Sequence, residues 1–141
     1  MEKKSILFVC IHNSARSRMA EAFLNKEGDE KFIARSAGLE PGVVNPIAAA
    51  VMNELDIDIS RQKSRSTAEV IASGETYDYV ITVCDAASGE RCPVFPGKGV
   101  IRLHWGFEDP SALSGSRDEK LAAARQIRDQ IHQKVLQFIN E

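Results

Sequence analysis

A cysteine followed by five residues, an arginine and a serine, Cys10-x5-Arg16-Ser17, has the types and spacing to do covalent chemistry on an anion. The apolar run Ile6 to Val9 precedes it, short and β-branched enough to be a strand buried on both faces. From Ser17 the pattern turns helical, with Met19, Ala22 and Phe23 near one face and Arg18 and Lys26 on others. A loop joining a strand end to a helix start aims several backbone N–H groups at one point, where the helix dipole adds positive potential. That cradle, Ile11, His12, Asn13, Ser14, Ala15, Arg16 and Ser17, suits a tetrahedral oxyanion. Arg16 can close it with a planar fork of donors, and the same field favours Cys10 as thiolate. A lone C-x5-R fits a core cysteine and a surface arginine equally well; the strand before and the helix after favour a nucleophile. Asn13 suits a structural role bonding loop backbone. Ser17 can donate to the thiolate, start the helix, or both.

Two other places carry chemistry. Cys84 stands at the carboxyl end of the apolar strand Tyr79–Val83, and Cys92 follows after seven residues. That interval does not fit close zinc-ligand pairs, and no second pair completes a site. Two thiols without a role are one reading. The other is redox exchange, because the strand ending in Cys84 should neighbour the one ending in Cys10. The intervening segment, rich in small and polar residues, could be a marginal helix able to unwind, and a disulfide needs α-carbons within ~7 Å. Asp109, before Pro110, is either a turn former or a general acid. An oxyanion's leaving oxygen departs poorly unless protonated, and the strand Val100–Leu103 delivers this loop to the same edge.

The elements that must position these groups alternate. Lys31–Ser36 reads as a strand ended by Ala37-Gly38, and Asn45-Pro46 opens a helix with Ile47, Val51 and Leu55 as its stripe. Ser66 caps a short helix that stops near Gly74. The last helix, roughly Asp118 to Asn140, buries Leu121, Ala124, Ile127, Ile131, Val135 and Phe138. Strands alternating with helices predict an α/β fold, an open four-stranded parallel sheet with helices on both faces, as a single domain over residues 1–141. Ligands bind beyond the carboxyl ends of such strands. A chain of 141 residues can bury a core without disulfide or metal. Net charge of −2 with scattered Lys and Arg leaves no nucleic-acid footprint, and no apolar run is long enough for a signal or a membrane span. A cytoplasmic location is expected, where three cysteines point to chemistry or to inert thiols.

Cys10-x5-Arg16-Ser17 on a strand–loop–helix resembles the low-molecular-weight tyrosine phosphatase fold. More narrowly, V-C-x-H-N-S-A-R-S-x-M-A-E resembles the thioredoxin-coupled arsenate reductases built on it, over nearly the whole chain. The resemblance implies Cys84 and Cys92 as second and third thiols, at a spacing one residue longer than is familiar in that family. It implies Asp109 as the acid, with His104-Trp105-Gly106 in the reductase manner and no tyrosines after Pro110, hence a small bare oxyanion. It implies arsenate reduction to arsenite through a three-cysteine relay, thioredoxin as partner and reductant, and no cofactor. Ester hydrolysis by the same Cys10, and oxyanion binding without turnover, are the rivals. Relatives that bind potassium resemble this chain at Asn13, Glu21 and Ser36, but Arg65 stands at a further position that is acidic in them. No metal is therefore expected, and the Arg65 guanidinium is expected to neutralise Glu21.

Overall fold

The apolar run at the amino end becomes the centre of β1 (Lys4–Cys10), which pairs in parallel with β2 (Phe32–Gly38) on one side and β3 (Tyr79–Thr82) on the other. β4 (Ile101–His104) adds to β3, so the parallel sheet runs β2-β1-β3-β4. This computed structural model describes residues 3–12, 15–40, 42–60, 65–84 and 99–141. The helices are α1 (Arg16–Glu27), α2 (Pro46–Asn53), α3 (Thr67–Ala72) and α4 (Arg117–Ile139). None among the described residues is long and apolar enough to cross a membrane.

The two-residue period of β1 sends Ile6, Phe8 and Cys10 to one face, against Met19 and Phe23 of α1 and Ile127, Ile131 and Val135 of α4. Leu7 and Val9 go to the other, against Val80 and Val70 of α3. Each aliphatic or aromatic side chain removed from water on these faces contributes about 1.5–3 kcal/mol before entropy is counted. The open parallel sheet covered on both faces is the architecture expected from the alternation of strands and helices.

Helix ends follow the capping chemistry in the sequence. Asn45 accepts from the Ala48 amide with Pro46 in the first turn, and Ser66 accepts from Glu69. Ser116 and Glu119 form a reciprocal capping box on α4. Gly74, at φ +76, takes the left-handed conformation just beyond the end of α3. The Asn25 amide of α1 bonds both the N–H and the carbonyl of Ala34, covering the edge strand β2. On α2 the expected stripe packs on the core: Val51 is buried, and Ile47 and Leu55 pack partly buried against the same cluster, Leu55 from two residues beyond the helix end, with Ala48 and Met52 inside beside them.

The connection from β2 to β3 is fastened by a polar cluster. The Arg65 carbonyl accepts from the Gly38 amide at 2.9 Å, and the Arg65 guanidinium grips the Glu75 carboxylate with both nitrogens. Tyr77 donates to the same carboxylate at 2.8 Å. These donors, Arg65 first, hold Glu75 down at about 2. Burial and the Glu75 charge push the Tyr77 hydroxyl up to about 12. A carboxylate depressed on folding stabilises above its ordinary value of 4.5 and loses that contribution as pH falls toward about 2. Arg65→Ala should therefore lower the thermal midpoint at pH 7, with the difference from the parent shrinking toward zero near pH 2. Paired melts at the two pH values check this.

Candidate active site

The helix that follows the Cys10 loop begins without a side-chain cap. Its N-cap position is Ala15, which offers no oxygen to the first-turn amides, and no acidic residue sits in that turn. An uncapped helix start with no opposing charge is suited to an external anion. The loop's first carbonyls are taken up elsewhere. Those of Cys10, Ile11 and His12 accept from Leu39, Glu40 and Gly42 at 3.1, 2.7 and 2.8 Å. Ala15 is buried, Ile11 is half-buried and His12 is exposed, its Nδ1 lying 3.3 Å from the Glu40 carbonyl. Asn13 and Ser14 lie outside the described residues.

Cys10 is 2 % exposed, and its Sγ lies 2.9 Å from Ser17 Oγ. Either atom can donate in this contact, and against a thiolate only the hydroxyl can. Arg16 is buried as well. One guanidinium nitrogen donates to the Phe107 carbonyl at 3.1 Å, and the other lies 3.5 Å from Asp109 Oδ2. The fork is thus aimed by the loop that carries Phe107 and Asp109. Asp109, 21 % exposed, accepts from the Ser111 amide at 2.9 Å and so caps the 3₁₀ turn Pro110–Ala112. Its turn-forming reading and its place beside Arg16 are both true. Asn45 donates to Ser111 Oγ at 3.0 Å, tying the start of α2 to this loop. Between them a groove of about 300 Å³, lined by His12, Val44, Pro46 and Ser111, opens beside the cradle.

Cys84 reaches the same edge. β3 pairs with β1 up to Val9↔Thr82, and the Val83 amide donates to the Val9 carbonyl at 3.0 Å. One step further, Val83 stands opposite Cys10, and both pack in the same buried cluster. Cys84, fully buried, follows immediately, and the two thiols are not bonded to each other. Strand spacing and rise put the two α-carbons roughly 6 Å apart, within the range a disulfide spans. Alternation continued past Val83 would turn the Cys84 side chain to the face of Thr82, so a bond to Cys10 needs the chain to turn over the sheet end. Cys92 lies outside the described residues.

Two charged residues differ from expectation. Arg65 is engaged with Glu75, and the cations acting on Glu21 are Arg18 and Arg35. Arg18, expected off the apolar face of Met19, Ala22 and Phe23, is 1 % exposed and is the largest fully buried side chain described. Periodicity missed it because the first turn of α1 is buried all round: Arg16, Ser17, Arg18, Met19 and Ala20 are all inside. The available signal was its spacing of three from Glu21, which places opposite charges side by side on a helix. Burial pushes the Glu21 carboxyl up to about 7, against the pull of Ser36 and of both arginines.

The family model for low molecular weight phosphotyrosine protein phosphatase matches residues 5–141. An arsenate reductase of Oceanobacillus iheyensis is 41% identical over 138 residues, covering 98% of this chain and 96% of its own. A solved arsenate reductase in its phosphate-binding state is 36% identical with a TM-score of 0.78, over 97% of each chain. The solved arsenate reductase of Archaeoglobus fulgidus, 29% identical, also has a TM-score of 0.78, over 96% of this chain and 99% of that one. With Cys10 and Arg16 at the end of β1 and the start of α1 of a four-stranded parallel sheet, and a family-model match over residues 5–141, the chain belongs to the low molecular weight phosphotyrosine protein phosphatase family.

Proposed function

We propose that this protein is an arsenate reductase that converts arsenate to arsenite through Cys10, Cys84 and Cys92 in turn, with thioredoxin restoring the thiols. The observation that carries the reading is the parallel register of β1 with β3, which brings a second buried thiol, Cys84, to the edge where Cys10 ends its strand. Hydrolysis of an ester needs a nucleophile, a cation and an acid, and has no use for that second sulfur. The end-to-end similarity to arsenate reductases supports the same reading.

Arsenate would lie at the start of α1, held by loop N–H groups and the Arg16 fork. The Cys10 thiolate attacks arsenic while Asp109 gives a proton to the departing oxygen, which leaves as water or hydroxide, and a sulfur–arsenic(V) bond forms. Cys84, as thiolate, then attacks the sulfur of Cys10. The pair of electrons in the sulfur–arsenic bond passes to arsenic, which departs as arsenite, and a Cys10–Cys84 disulfide remains. Attack by Cys92 on Cys84 frees Cys10 and moves the disulfide to Cys84–Cys92, where an external dithiol reduces it. Every step is thiol chemistry, and the two electrons come from the thiol pair, ultimately from the dithiol protein. The geometry asks the chain beyond Val83 to turn Cys84 over the sheet end once per cycle.

The rival, ester hydrolysis, shares the first step and separates at the third thiol. Cys92→Ser should abolish multiple turnover of arsenate with a thioredoxin system while leaving hydrolysis of an aryl phosphate unchanged; undiminished arsenate turnover in that variant would refute the relay. Asp109→Asn should slow the first chemical step about 10²- to 10⁴-fold with little change in anion affinity. Single-turnover kinetics with excess enzyme check this, and an unchanged rate would remove Asp109 as the acid.

A further inference from the structure

Reduction of bare arsenate, which offers only oxygen atoms, leaves the groove beside the cradle unused. Its walls are nonetheless fastened to the site. On one side the Glu40 and Gly42 amides donate to the Ile11 and His12 carbonyls at 2.7 and 2.8 Å, so the chain leading to Val43 and Val44 is tied to the loop that holds the anion. On the other side Ser111 donates its amide to Asp109 and accepts from Asn45. His12, two residues from Cys10, stands where loop and groove meet, its Nδ1 against the Glu40 carbonyl at 3.3 Å. Val43, Val44 and Pro46 make the lining mainly apolar, and Val43 is 87 % exposed, so a hydrophobic side chain is held open to water at the rim of an anion site. An apolar cavity of about 150 Å³ accepts a benzene ring. The groove, of about 300 Å³, has room for one.

We propose that the site also reduces arsonates, in which a carbon substituent replaces one oxygen of arsenate, with a small apolar substituent such as phenyl lying in the groove along Val43, Val44 and Pro46. The inference rests on the reading of the protein as an arsenate reductase. An arsonate keeps three oxygens on arsenic, enough to meet the loop amides and the Arg16 fork and to leave one for Asp109, which is turned to Arg16. The Cys10 thiolate attacks arsenic, one hydroxyl leaves as water with a proton from Asp109, and a sulfur–arsenic(V) bond forms. The carbon–arsenic bond stays intact. Cys84, as thiolate, then attacks the sulfur of Cys10, and the electron pair of the sulfur–arsenic bond passes to arsenic. With the uptake of one proton an arsonous acid, R–As(OH)₂, departs, and a Cys10–Cys84 disulfide remains. The two electrons come from the two thiols, as with arsenate, and the same dithiol protein restores them. Apolar surface leaving water in the groove supplies affinity that arsenate cannot draw on.

The test supplies the intact, fully reduced protein with phenylarsonate, methylarsonate or arsenate, and separates the arsenic products by liquid chromatography. Phenylarsonate should give phenylarsonous acid and one disulfide per chain in a single turnover. With a thioredoxin system its kcat/KM should exceed that of methylarsonate about tenfold or more, since a methyl group buries little surface in the groove. Val44→Phe, which fills the groove, should lower the ratio of phenylarsonate to arsenate kcat/KM about tenfold. Thiols left unchanged by phenylarsonate while arsenate is reduced, arsenite released from phenylarsonate, or an unchanged ratio in folded Val44→Phe overturns the inference. Should Val44→Phe fail to fold, as circular dichroism would show, the phenyl-to-methyl ratio of the parent decides, and equal values overturn it. A parent that reduces none of the three would instead overturn the proposed function, and the arsenate control tells the two failures apart.

Discussion

The pairing of β1 with β3 is the constraint on which the site depends. Parallel strands carry their residues in step, so once Val9 stands opposite Thr82, the ends of the two strands leave the sheet together. Cys10 and Cys84 are brought to one edge by the backbone hydrogen bonds of this pairing. The pairing of β3 with β4 extends the arrangement, since Thr82 opposite His104 brings the Trp105–Asp109 loop to the same edge. The apolar residues that make β1 a strand buried on both faces therefore also bring Cys10 and Cys84 to the same edge.

Electrostatics then divides the site into two sides. On the outer side Arg16 is oriented by a carbonyl and a carboxylate of one loop, and the uncapped start of α1 adds its dipole. On the inner side Arg18 is buried in the first turn of α1, with Glu21, half-buried, three residues further along. Ser17 stands between them and touches the sulfur. A small oxyanion offers little apolar surface to grip, so this concentration of donors and positive charge accounts for the shape of the site better than the groove beside it does.

Much of this was legible in the sequence because it is written in local rules. A β-branched run gives a buried strand, Asn45-Pro46 and Ser116 give helix starts, and Gly74 gives a stop. That Cys10 ends a strand and Arg16 starts a helix was legible for the same reason, since the two are close in the chain. What periodicity missed is tertiary. Arg18 reads as lying off the apolar face on a helical wheel and is buried, one of its nitrogens directed at the Ile59 carbonyl across 41 residues of chain. Arg65 was expected to reach Glu21, but a carboxylate ten residues away, Glu75, holds it. Such choices between partners depend on which surfaces the fold brings together. Asn13, Ser14 and Cys92, expected in the site from sequence, lie outside the described residues.

The most direct measurement is the pattern of disulfides after one equivalent of arsenate is supplied to the fully reduced protein with no other thiol present. Peptide mass mapping of the quenched reaction should find Cys84 joined to Cys92, Cys10 as a thiol, and one arsenite released per chain. Arsenite produced while all three cysteines remain thiols, or a bonded pair that excludes Cys84, would contradict the account.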